Sequence, residues 1–376
     1  MAGRPVRLAV REKRYGQAVN IKIFRHSANA APLPAIFMIN FKILCDIDKD
    51  VNFIIGGATK RADIADLALE ENIKRIYRIQ FSQAPRIIHL LAALKVIESN
   101  PNIVLRFYGD YSEKQINWGL LSSVESLQVD LWNTKELAEI SELTNLKRLG
   151  ITKNVKSSVS LKILEPLKNL QILFTSISRD IQTISRLTQL HILSLSKIKT
   201  ENLDFLAQLK KLNTVWLSLG SYENFKALNQ IQNLNLLSIH QVRGFNDRIA
   251  KENLGNCEKL EALQLQDLQH IESLDFLSNL KMLKYLQIEG LKNIKTYEPV
   301  LFCSTLETFL ATNSKPKDQS LMSLINVKSI GLGDSYSKSE IDSLVSHFRG
   351  NNISIRGREL KGKLSYANIF EKAQGS

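Results

Sequence analysis

Residues 187–208 read LTQLHILSLSKIKTENLDFLAQ, and LKKLNTVWLSLG at 209–220 opens the same pattern again. Apolar residues stand at Leu187, Leu190, Leu193 and Leu195, then at Leu203 and Leu206, before Leu209 restarts the count. The alternation Leu193-x-Leu195 is that of a short strand, because strand side chains point to opposite faces in turn. The spacing of three around it is that of a compact return to the next strand. One such unit is too small to bury its own apolar face, so copies must stack and share a continuous core.

Working outward, the same phase holds along most of the chain. Units start at Ile73, Ile97, Leu121, Leu143, Leu167, Leu187, Leu209, Ile231, Cys257, Leu280, Cys303, Leu324 and His347. Apolar residues recur three, six and eight places after most starts, as in Leu146, Leu149 and Ile151 or Leu260, Leu263 and Leu265. A second pair stands six and three places before the starts: Leu91 with Leu94, Leu137 with Ile140, Leu161 with Leu164, Ile181 with Ile184, Phe225 with Leu228, and Leu274 with Leu277. These are expected to plug the convex layer. Steps between starts run from 20 to 26 residues. Because both flanking patterns keep phase, the extra residues are expected in the loop after the strand, and the longest, Val242 to Asn253, should protrude.

The phrases LTNLKRLGI at 143, LKNLQILFT at 167 and IQNLNLLSI at 231 resemble the repeats of internalin-like and phosphatase-regulator-like leucine-rich repeat proteins. The resemblance covers about 73–355. It implies an α/β solenoid, with a curved parallel sheet on the concave face and helices and irregular turns on the convex face. Those families place Asn three residues after the second strand leucine. Here that position holds Asn154 once and otherwise Trp132, Ser178, Ile198, Gly220, Val242, Leu268, Leu291, Ser314 and Ser335, so an irregular arc is expected.

Around the solenoid at 73–336 the chain divides into a basic leader at 1–37, an N-terminal cap at 38–72 and a C-terminal cap at 337–376. The leader carries seven basic residues against Glu12, which is +6 of the formal +13, and reads as sequence outside the fold. FKILCDID and VNFIIGG read as two cap strands, followed by a helix from about Asp63 to Glu71. Near the other end, Ser337 and Glu340 form a capping box ahead of Ile341, Leu344, Val345 and Phe348. Ile353–Ile355 reads as the last strand, with the basic tail RGRELKGKLSYANIFEKAQGS shielding its edge.

The motifs of several chemistries are missing. The six histidines form no HExxH and no Cys-x-x-Cys exists, so no metal is expected. GGATK at 56–60 lacks the spacing of a phosphate loop, Gly331-Leu-Gly333 lacks a third glycine, and no GxSxG occurs. No cofactor and no enzyme activity are expected. No run reaches the ~20 apolar residues of a membrane span. Cys45, Cys257 and Cys303 are odd in number and far apart, which suits reduced thiols and a cytoplasmic setting.

Function is therefore sought on the concave surface, reached by residues five and seven places after each start. The middle units present Ile172, Phe174, Ile192, Trp216 and Leu236, with Tyr285 further along. Arg78, Arg106 and Arg148 flank one side, and Gln264, Gln266, Gln287 and Glu289 the other. An apolar strip between polar shoulders fits an interaction scaffold for a protein or peptide, with Trp216 at its centre and Trp132 as a loop control. Two alternatives stand beside it. The pI of 9.5 admits nucleic-acid binding through the leader and the N-terminal arginines, although the aromatics do not alternate with basic residues. A regulatory subunit of an enzyme is a special case of the scaffold.

Overall fold

A computed structural model describes residues 51–55, 76–152 and 158–362, together with Ile64 and Ile73. The leader, the first cap strand and all but Ile64 of the expected cap helix lie outside the described residues, as does Asn154.

Each unit start is followed by a strand. The strands are β1 (Val51–Ile55), β2 (Ile76–Phe81), β3 (Val104–Gly109), β4 (Ser126–Leu131), β5 (Arg148–Ile151), β6 (Ile172–Thr175), β7 (Ile192–Ser196), β8 (Lys199–Thr200), β9 (Thr214–Ser218), β10 (Ser221–Tyr222), β11 (Leu236–His240), β12 (Ala262–Gln266), β13 (Tyr285–Glu289), β14 (Thr308–Thr312), β15 (Ser329–Leu332), β16 (Asn352–Ile355) and β17 (Arg358–Lys361). Fifteen of them form one sheet in chain order, while β8 and β10 pair separately on its flank. Pairing is parallel from β1 to β16. The last strand, β17, turns back antiparallel on β16, so the charged segment RELK covers the edge that Ile353–Ile355 would leave open.

Between strands the chain returns mainly through 3-10 turns such as Ala138–Glu142, Leu161–Leu164 and Ile181–Arg186. The geometry follows from the spacing. Three residues per turn eclipse every third side chain, so Leu161, Leu164, Leu167 and Leu170 all face inward and are fully buried. From there the strand takes over with Leu173. In the central unit Leu187, Leu190, Leu193 and Leu195 are likewise at zero exposure.

Among the described residues, two returns inside the stack, and a third ahead of the last parallel strand, use regular helix instead. Ile87–Ser99 forms α1, a helix of 13 residues, and Asp247–Leu254 forms α2. In α1 the 3.6-residue period replaces the period of three, so Leu90, Ala93, Leu94 and Ile97 face the core while Leu91 turns out, 46% exposed. The insertion into this unit thus sits in the convex layer, not in the loop after the strand, and β3 starts two residues late relative to its neighbours. Nor does the stretch Val242 to Asn253 protrude. Asn246 caps α2 by accepting from the Ile249 amide at 3.0 Å, and Ile249, Ala250, Asn253 and Leu254 are buried between the adjoining turns. At the far end α3 (Lys338–His347) starts in the expected capping box, with Ser337 and Glu340 each accepting from the other's amide.

The asparagine ladder is displaced rather than lost. Asn145, Asn169 and Asn233, from the LTNL, LKNL and IQNL phrases, donate to the carbonyls of Ser122, Thr144 and Lys210 one unit back, at 2.9, 3.2 and 2.8 Å. After the strands, left-handed residues continue the backbone ladder. Lys197, Leu219, Gln241, Asp267 and Gly290 have φ between 49° and 66°, and each donates its amide to the next strand. This bend turns the following side chain inward, so Ile198, Val242, Leu268 and Leu291 are buried where asparagine was expected.

Candidate functional site

Strand alternation and parallel pairing sort the side chains of the uncovered sheet face into columns. The middle column runs Gln80, Arg106, Gln128, Gly150, Phe174, Ser194, Trp216, Ser238, Gln264 and Gln287, one residue per strand. Beside it run Arg148, Ile172, Ile192, Thr214, Leu236, Ala262 and Tyr285.

On this face Ile172, Ile192, Trp216, Leu236 and Ala262 make an apolar cluster separate from the main core, with Phe174 and Tyr285 packed half-buried against it. The candidate residues are therefore brought together, and Arg148 joins them with its guanidinium carbon 5.2 Å from the centroid of the Phe174 ring. Trp216 points to the expected side but is only 2% exposed. The cause lies in the middle column, where large and small residues alternate. Ser194 and Ser238 leave room on both sides, and the Phe174 and Trp216 rings close over Ser194, stacked at 6.1 Å and 14°. The expectation that the Trp216 ring stands free in the concavity is corrected accordingly. Its indole N–H has no hydrogen-bond partner among the described residues.

The shoulders are polar and ordered. On one side Arg106 donates to Asp130 at 2.7 Å and to Gln80 at 3.0 Å, while Gln128 and Thr152 also donate to Asp130, at 2.7 and 3.0 Å. On the other, buried Ser238 donates to Gln264 at 2.7 Å, and Lys284 pairs with buried Glu261 at 3.3 Å. The charges of Arg106 and Lys284 are thus paired in place. Two residues outside the apolar strip, Trp132, expected only as a loop control, and Tyr108, expose large rings. Trp132 is 56% exposed and Tyr108 is 36% exposed, with rings edge to face at 5.9 Å. Trp132 follows β4 directly, and that proximity to the strand end was the signal that could have marked it.

Among the described residues no group of three His, Cys, Asp or Glu side chains could hold a metal ion. No helix among them is long and apolar enough to cross a membrane. Cys257 and Cys303 are buried free thiols, and burial pushes the Cys257 thiol up to about 12.

The stacked units, shared leucine core and long parallel sheet define a leucine-rich repeat protein. Its fold is internalin-like. A solved structure of an internalin (inlF) from Listeria monocytogenes str. 4b F2365 matches 84% of this chain and 92% of its own, with a TM-score of 0.51 and 16% identity. Internalin C2 (inlC2) of the same strain matches 52% of this chain and 84% of its own, with a TM-score of 0.39 and 20% identity. No protein-family model and no curated protein matches the sequence.

Proposed function

We propose that the protein is an interaction scaffold, a binding module and not an enzyme, whose protein or peptide partner lies along the concave face. The observation that carries this reading is the second apolar cluster, on the uncovered face of the sheet and apart from the core. Its parts have separate tasks. Trp216, Ile172, Ile192 and Leu236 form a rigid floor, while Phe174, Tyr285 and Arg148 are the half-exposed groups that a partner touches. A preorganised surface loses little conformational freedom on binding, which is what a stacked solenoid provides. Internalin-like neighbours favour the same reading at the level of fold. The buried thiols of Cys257 and Cys303 suit a reducing, cytoplasmic setting.

The test is a photo-crosslinking residue placed at Phe174 and, as control, at Phe302 on the convex side. A partner captured at Phe174 and not at Phe302, whose binding Phe174→Ala weakens about tenfold or more, supports the proposal. Equal capture at both positions, or unchanged binding by Phe174→Ala, overturns it. Ionic strength separates the nucleic-acid alternative. Such a complex weakens steeply between about 50 and 200 mM salt, whereas contact through an apolar floor and rim changes little.

A further inference from the structure

We propose that the corner formed by Tyr108 and Trp132, with Asp110 beside it, seats a lysine or arginine side chain of the partner. This rests on the scaffold reading and adds the chemistry of one contact. The two rings are fixed from behind. Tyr108 lies on β3, and the Trp132 amide donates to the Gly109 carbonyl at 3.0 Å, which ties the start of the loop to the neighbouring strand. The rings meet at 83°, so together they offer electron-rich faces at a corner open to solvent.

That the corner favours positive charge is visible in the protein's own contacts. The Arg106 guanidinium carbon lies 4.5 Å from the Tyr108 ring centroid, a cation already resting on one of these rings. Its charge is paired with Asp130 at 2.7 Å, which lessens its repulsion of a second cation. Asp110, by contrast, is exposed, accepts a hydrogen bond from the Asn133 amide, and has no ion-pair partner among the described residues. A carboxylate held by the residue that follows an exposed indole attracts a cation and repels an anion. Trp, Tyr and an acid with no ion-pair partner among the described residues therefore select a basic side chain over an acidic one.

The three tryptophans make the test direct. Trp118 and Trp216 are 7% and 2% exposed, so quenching of intrinsic fluorescence by acrylamide reads Trp132. The full chain is titrated with the blocked peptides acetyl-Gly-Lys-Lys-Gly-amide and acetyl-Gly-Glu-Glu-Gly-amide. The lysine peptide should lower the quenching slope to a plateau, the glutamate peptide should leave it unchanged, and Asp110→Asn should weaken the lysine peptide by at least about threefold at an unchanged urea midpoint. Equal protection by both peptides, no protection by either, or unchanged affinity of Asp110→Asn overturns the proposal. Loss of the cation seat with the Phe174 crosslink intact removes this inference alone, and the reverse outcome removes the concave-face reading.

Discussion

A left-handed backbone costs an L residue about 1–2 kcal/mol, because its Cβ crowds the following carbonyl oxygen. The turn after each central strand places one residue there, and the chain fills equivalent places with Leu219 at φ 56° and Gly290 at φ +66°. A Cβ on Gly290 would also stand 2.1 Å from Asp267 Oδ1. Gly290→Ala should therefore lower stability by about 1–2 kcal/mol. Leu219→Gly should be neutral or stabilising by up to ~1 kcal/mol, since relief of the crowding offsets glycine's larger entropy loss. Urea midpoints of the two variants moving in the same direction would contradict this account of the turn. The same scale decides Trp216. Its side chain is as buried as the leucines beneath the sheet, so Trp216→Ala should cost ~3–5 kcal/mol, and any loss of binding would follow from damage to the fold. Period-two alternation was enough to say which side of the sheet Trp216 faces. Its burial depended on Phe174, Ser194 and Ser238 on three other strands, which one strand's own sequence does not carry.

At the scale of elements, the helical returns α1 and α2 show where spacing stops being informative. A spacing of three implies 3-10 turns, and most units obey it because each convex return has the minimum length. Where the return is longer, a helix becomes possible, and helix and turn put different residues inward. Leu91 was legible as apolar but not as exposed, because the choice between periods of 3.0 and 3.6 depends on the 13-residue length of α1. For α2 the signals are present in Asn246 and in the inward spacing of Ile249, Ala250 and Leu254, which outweigh the length of the stretch. Removing that cap tests whether the helix is held as described. Asn246→Ala should cost ~1 kcal/mol, since the Ile249 amide loses its acceptor at the start of the helix. Circular dichroism melts indistinguishable from wild type would mean that neighbouring turns, and not the cap, hold α2. The displaced asparagines teach a related lesson. The LTNL and LKNL phrases identified the fold through their leucines, while Asn145 and Asn169 within them supply the unit-to-unit bonds sought at another position.

For the whole molecule, stacking means that each unit is stabilised chiefly by its two neighbours, so the effect of a cavity depends on where in the stack it lies. Leu193 is fully buried on β7, between β6 and β9 near the middle of the sheet, and Ile353 is fully buried on β16, next to the end. Both substitutions to alanine remove a similar apolar volume and should cost ~2–5 kcal/mol locally. Their reach should differ. A defect at Leu193 weakens the contacts on both sides of it, and the units flanking it hold long stretches of sheet, so amide exchange should rise across β5 to β11 and the urea midpoint should fall. A defect at Ile353 has one inward neighbour, β15, and on its outer side β17 of four residues, anchored by the Lys361 ammonium donating to the Phe348 carbonyl at 3.1 Å. That end can open while the rest stays folded, because a local opening leaves the remaining interfaces intact. Hydrogen exchange followed by mass spectrometry should accordingly show Ile353→Ala losing protection in α3, β16 and β17 while β7 to β12 keep theirs. Uniform loss of protection in both variants would mean that the chain unfolds as one cooperative block, and the nearest-neighbour view of its stability would have to be abandoned.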